Sequence, residues 1–177
     1  YEWNQWEEDG VPGQPGTDDP YHAALQAYTW LLTTPGAAVI YQGDEYGDYG
    51  GADPDKRHVL RTDAELNTRE TSLMEQISEI GELRLNSEAL RQGTYDSLSN
   101  GTDTIAWSMT TESDQAVIAM NRGTTSAEFD LALDWVAYDA LNEVPIYSEY
   151  RFTLDLHSVL RQVVTGRKYQ LISSCKP

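Results

Sequence analysis

The 177-residue sequence predicts an α/β segment followed by an all-β segment, and two observations predict it. Apolar residues recur at helical spacing as far as about Leu85, then alternate with a period of two after Gly93. Between the two helical stretches lies a short continuous apolar run, Ala37 to Tyr41, of the kind that a parallel strand buried on both faces needs. The single change of period places a domain boundary near Arg91 to Gly93, so the expected domains are residues 1–92 and 93–177.

Residues 1–19 carry Trp3, Trp6, three consecutive acids from Glu7 to Asp9 and a series of glycines and prolines, with no period; they read as a long loop. The ordinary role of the two tryptophans is packing against a neighbouring element, with sugar stacking as the alternative. Asp19 before Pro20 has the form of an N-cap followed by proline at the first helical position. Tyr21, Ala24, Leu25, Tyr28, Leu31 and Leu32 then predict a helix over Pro20 to Thr33, which Pro35-Gly36 stops. From Gln42 to Arg61 the four glycines Gly43, Gly47, Gly50 and Gly51 oppose regular structure, and the polar loop between strand and helix is placed to line a site. Asn67 with Glu70 forms a capping box, and Leu73, Met74, Ile77, Ile80 and Gly81 mark the inner face of a second helix to about Leu85.

After Gly93, Ile105, Trp107 and Met109, then Val117 and Ala119 beside Ile118, then Phe129, Leu131 and Leu133 alternate between turn signals at Asn100-Gly101, Glu112 to Asp114 and Arg122-Gly123. This is an antiparallel meander. Further strands are expected at 135–141, 151–156 and 158–164, which together suit a small β-sandwich, while 165–177 shows no pattern.

With 12 Lys plus Arg against 29 Asp plus Glu, the net charge of −17 opposes binding to nucleic acid or to anionic lipid. No apolar stretch approaches the roughly 20 residues that cross a bilayer. The single Cys175 has neither an internal disulfide partner nor a metal-binding or catalytic setting. Tyr1 is neither an initiator nor the start of a secretion signal, and one parallel strand with two helices leaves both strand edges unpaired. Both features lead to the expectation of a fragment.

The stretch Thr34-Pro35-Gly36-Ala37-Ala38-Val39-Ile40-Tyr41-Gln42-Gly43-Asp44-Glu45-Tyr46-Gly47 resembles the segment around the eighth barrel strand of α-amylase-family glycoside hydrolases, Gly-x-Pro-x-x-Tyr-x-Gly-Asp-Glu. It departs at Ala38, where that family usually has proline. Gly50-Gly51-Ala52-Asp53-Pro54-Asp55-Lys56-Arg57 resembles the Gly-Gly-x-Asp-Pro-Asp-x-Arg loop of family members acting on maltooligosaccharides and related α-glucans. Gly81 to Arg84 and Ala89 to Gly93 are similar to the family's eighth barrel helix and its exit into the C-terminal sandwich; the resemblance fades after about residue 135. It implies the terminal βα unit of a (β/α)8 TIM barrel followed by an antiparallel β-sandwich, with the Gln42 to Arg61 loop at the mouth of the site.

Retaining hydrolysis of a glycosidic bond needs two carboxyl groups roughly 5 Å apart. In the α-amylase family these come from strands four and five, with a third aspartate after strand seven in an Asn-His-Asp motif. None of His22, His58 and His157 lies in such a motif, so the resemblance implies no catalytic residue in this chain and places them in a missing N-terminal barrel part. Carried over by position, Asp53 and Arg57 are the expected substrate-binding residues, acting as acceptor and donor fork on one sugar ring; the alternative is a loop-stiffening ion pair.

Asp44 and Glu45 are adjacent and poorly placed to flank one bond; the resemblance makes them structural, capping loop amides or pairing with basic groups. Asp48, Asp53 and Asp55 lack the spacing of a calcium loop and read as a solvated acidic loop, while Tyr46 and Tyr49 could stack on sugar or pack. No metal or cofactor is expected. The expected partner is an α-glucan, whose polymeric class points to an extracellular or periplasmic location, and the competing reading is a noncatalytic carbohydrate-binding or interaction module.

Overall fold

A computed structural model describes residues 14–50, 57–132, 137–139, 144–146, 149–154, 159–165 and 168–173, with side chains as far as Phe129. Helix α1 (Asp19–Thr33) accepts Pro20 in its first turn, where an N–H would have no intrahelical partner. Its N-cap is Asp18 rather than the expected Asp19, and neither carboxylate caps: Asp18 is drawn away by Arg69 of the second helix. The capping box at the start of α2 (Thr68–Asn86) forms as expected. Asn67 accepts from the amides of Arg69 at 2.8 Å and Glu70 at 3.1 Å, and the Glu70 carboxylate accepts from the Asn67 amide at 2.6 Å.

The apolar stripes of the two helices meet. Tyr21, Leu25 and Leu32 of α1 pack on Leu73, Ile77 and Ile80 of α2. A short helix α3 (Glu88–Gln92) follows, with the Ser87 hydroxyl accepting from the Leu90 amide.

The sequence places a buried strand at Ala37 to Tyr41, and the structure does not. The run pairs with no strand among the described residues and stands in water, with Val39 80% and Tyr41 61% exposed. The physical reason is the one that makes lone parallel strands rare: a strand with neither edge paired leaves its amides and carbonyls to solvent.

From Thr94 onward the described elements are strands: β1 (Thr94–Asn100), β2 (Thr104–Thr110), β3 (Asp114–Asn121), β4 (Ala127–Ala132), β5 (Ala137–Asp139), β6 (Val144–Ile146), β7 (Glu149–Leu154), β8 (Val159–Thr165) and β9 (Lys168–Ser173). One five-stranded sheet has the order β1-β2-β3-β8-β9 and every pairing in it is antiparallel. Two-stranded ladders β4-β7 and β5-β6 complete the set. Of these, β1, β6 and β9 were not anticipated, and of the expected strand at 135–141 the described residues, Ala137–Asp139, are strand. β1 has mostly polar residues because it is the outer strand, half in water, and a register shift between Ser97 and Ser99 breaks its alternation.

Alternation in β2 and β3 divides their side chains between two cores. Trp107, Met109, Ala116 and Ile118 face Ala89 and Leu90 of α3, whereas Ala106, Val117 and Ala119 face Phe129 of β4. Among the described residues, four hydrogen bonds tie helices to sheet. The Trp107 indole N–H donates to the Thr33 carbonyl at 3.3 Å; Asp114 at the head of β3 accepts from the Ser87 hydroxyl at 2.6 Å and the Ala89 amide at 2.9 Å; and Gln26 donates to the Asn121 carbonyl at 2.9 Å.

Trp107 is fully buried and stands edge-on to Trp30 of α1 at 5.0 Å. Truncating it removes both the packing and the tie to α1. Trp107→Ala is expected to lower unfolding free energy by about 4 kcal/mol, measured by urea denaturation, with Trp107→Phe retaining a large part of it.

Candidate functional site

The segment that bears the expected site begins as the exposed run 37–41 ends. Gly43 at φ +93° and Gly47 at φ +72° bracket a single 3₁₀ turn, Asp44–Tyr46. Glycines that were expected to prevent regular structure here are what allow it, because both turn ends adopt the left-handed backbone that L side chains avoid. A Cβ on Gly43 would stand 2.9 Å from that of Asp48, so the position is closed to other residues on two counts.

The carboxylates of the turn are used within it. Glu45 folds back to accept from the Gly43 amide at 2.9 Å, and Asp44 accepts from the Tyr28 hydroxyl. Glu45 thus caps a loop amide, while Asp44 meets a phenol rather than a basic group. Tyr46 is a packing group: it is buried, its hydroxyl accepts from the Arg61 amide at 3.3 Å, and its ring lies beneath the Arg61 guanidinium at 4.9 Å. Tyr49 packs its ring against His58, with centroids 4.9 Å apart.

Asp48 corrects the expectation of a solvated acid. Its side chain is only 14% exposed and takes two partners, Arg61 at 2.9 Å and His58 Nδ1 at 2.8 Å. Arg61 in turn reaches Glu70 at 2.7 Å, a carboxylate that is 1% exposed. The capping-box glutamate of α2 therefore also neutralises the cation that closes the loop. Burial by itself would lower the Arg61 pKa, but the Glu70 and Asp48 carboxylates prevail and hold it higher still, so the guanidinium stays charged.

Gln14 gathers the other side of the turn, donating to the Gly47 carbonyl at 2.7 Å and the Tyr21 hydroxyl at 2.8 Å and accepting from the Tyr49 amide at 3.2 Å. Gln14, His58, Arg61 and the second role of Glu70 were missed in the sequence. Only the Asn67-to-Glu70 spacing gave a signal; the others are joined across 7 to 35 residues.

Of the two expected sugar-binding residues, Arg57 is described and exposed, next to His58, while Asp53 lies outside the described residues, as do Trp3, Trp6, Asp55 and Cys175. Among the described residues no group of three His, Cys, Asp or Glu could hold a metal ion, and no helix is long and apolar enough to cross a membrane.

With turn, helices and sheet in place, the chain resembles α-amylase-family enzymes in sequence and in fold, as its motifs imply. It is 30% identical over 109 residues to a cyclomaltodextrinase of Geobacillus thermopakistaniensis (strain MAS1), a match that covers 60% of this chain and 18% of that enzyme. The ligand-free cyclic α-maltosyl-(1→6)-maltose hydrolase of Arthrobacter globiformis superposes with a TM-score of 0.68 at 23% identity, covering 82% of this chain and 30% of that one. The α-amylase of Geobacillus thermoleovorans complexed with acarbose gives 0.69 at 22% identity, covering 84% and 34%. At these identities the structural likeness is one of fold. No protein-family model matches the chain. It spans under a fifth of the cyclomaltodextrinase and about a third of the solved structures.

Two outcomes follow from the charges. Arg61→Ala strands the buried Glu70 carboxylate and is expected to lower unfolding free energy by about 3 kcal/mol at neutral pH in a denaturant titration. Burial, then the hydrogen bond to Asp44 and the negative charges of Asp44 and Glu45, push the Tyr28 phenol well above its ordinary value. A raised pKa stabilises the fold fully below the unfolded value of about 10 and is lost progressively as pH rises through the folded one. Phenolate absorbance of the wild type and of Tyr28→Phe is accordingly expected to coincide up to about pH 11, one unit above the ordinary phenol value.

Proposed function

We propose that this chain is the C-terminal part of a retaining glycoside hydrolase or transglycosylase acting on α-linked glucans such as maltooligosaccharides. Residues 1–92 supply the last loop, helix, strand and helix of a (β/α)8 barrel, and residues 93–177 form a small β-sandwich. Asp53 and Arg57 bind sugar hydroxyls, and the catalytic carboxylates belong to the rest of the barrel. The chain on its own is inactive.

The observation that carries this reading is the exposed apolar run Val39 to Tyr41 leading directly into the glycine-bracketed Gln42-Gly43-Asp44-Glu45 turn. In a complete barrel that run is a strand between two neighbours, which gives its backbone partners and takes Val39 and Tyr41 out of water. The named activities of the similar enzymes, on cyclomaltodextrins and a cyclic maltosyl-maltose, support an α-glucan as the substrate class.

The test compares the 177-residue chain with a version extended upstream through its reading frame, on maltooligosaccharides and soluble starch. Hydrolysis is expected only from the extended protein. Hydrolysis by the short chain would overturn the assignment of the carboxylates to the rest of the barrel, and sugar binding without hydrolysis in both would favour a noncatalytic module. In the extended protein, Asp53→Ala and Arg57→Ala are each expected to lower kcat/KM roughly ten- to a hundredfold, the range that losing a charged hydrogen bond to substrate carries.

A further inference from the structure

His58 is held from three directions. Its Nδ1 lies 2.8 Å from an Asp48 oxygen and, since a carboxylate only accepts, that nitrogen carries the hydrogen. Its carbonyl accepts from the Gln42 side chain at 3.3 Å, and its ring packs on Tyr49. Asp48 is itself fixed by Arg61, which is anchored on the buried Glu70 at the start of α2. A path of charge and hydrogen bonds thus runs from a helix terminus to the residue beside Arg57. The buried Arg61–Glu70 pair holds the fold of the turn, whereas the His58 contacts lie at the more exposed end of the path and reach the stretch beside Arg57.

We propose that His58 is a positioning residue: tied to Asp48 and Gln42, it fixes the backbone at Arg57 so that the guanidinium is presented at one place on the rim of the glucan site. The inference rests on the sugar-binding role given to Arg57 above. Holding the residue in advance avoids the ordering cost that binding would otherwise meet, so the effect falls on affinity for sugar rather than on global stability. Asp48, His58 and Arg61 lie outside both motifs that carry the family resemblance, although Asp48 directly follows the first and His58 the second.

The peptide bond after Arg57 is a trypsin site, which gives a readout independent of sugar. The variants are His58→Phe, which keeps a ring for Tyr49 but loses the donor, and His58→Asn, whose amide nitrogen can replace Nδ1. In the 177-residue chain, His58→Phe is expected to be cleaved after Arg57 about tenfold faster than wild type with an unchanged Tm, and His58→Asn to return to the wild-type rate. In the extended protein the same pair is expected to raise and restore KM for maltotriose, with kcat little altered.

Equal cleavage rates in wild type and His58→Phe would overturn the proposal, as would faster cleavage accompanied by an equal fall in Tm, which signals general loosening. Faster cleavage and unchanged KM in His58→Phe, alongside a raised KM in Arg57→Ala, would also overturn it while leaving the sugar-binding reading intact. An unchanged KM in Arg57→Ala would instead refute the sugar-binding role of Arg57.

Discussion

One guanidinium holds the helical part of this chain together. Arg84, near the end of α2, donates to the carbonyls of Leu32 at 2.7 Å, Thr34 at 3.3 Å, Gly36 at 2.6 Å and Leu90 at 2.7 Å. The first three lie at the C-terminal end of α1 and just beyond it, where carbonyls have no intrahelical partner and the helix dipole favours a cation. The fourth belongs to α3. Nη1, with two hydrogens, faces three of these carbonyls, so that one hydrogen is shared, and Nη2 serves Gly36; the fixed planar fork spreads its donors over this width as a lysine in the same place could not. The direction in which the chain leaves α1, and hence the origin of the run that leads to the Gln42 turn, depends on this cluster.

The helices and the sheet are joined in the same way, with polar groups placed where apolar packing needs a fixed register. Trp107 fills the space between α1 and α3 and its one donor finds Thr33; Asp114 starts a strand and caps a helix with the same oxygen. A core built only from Leu, Ile and Ala would leave the helices free to slide along the sheet. The site turn shows the converse: its carboxylates are used up on local amides, a phenol and cations, which fixes its shape and leaves chemistry to side chains further along the loop.

How much of this could be read beforehand follows the range of the contacts. The two long helices, the Asn67 capping box and the two-residue period through Trp107 are local patterns, and they stand where expected. Asp48 looked like one more exposed acid because its partners, His58 and Arg61, are 10 and 13 residues away and no short motif encodes them. Gln14 sits in a stretch with no pattern, yet bridges Tyr21, Gly47 and Tyr49. The polar β1 eluded the pattern because an outer strand has little apolar alternation to display. Ala37 to Tyr41 was misread for a different reason: an apolar run has the pattern of a buried strand whether or not a neighbouring strand pairs with it, and here none of the described residues does.

The double covering of β2 and β3 has a mechanical side. Because one face of these strands is packed on α3, the sheet cannot swing about the Gly93 connection as a tethered module would without tearing open the core that Ala89 and Leu90 share with Trp107 and Ile118. The residues on either side of Gly93 therefore behave as a single lever. A force on the strands would pass to α1 through Trp107 and Gln26, from α1 to α2 across their shared apolar core, and through Glu70 and Arg61 it would arrive at the Asp48 turn.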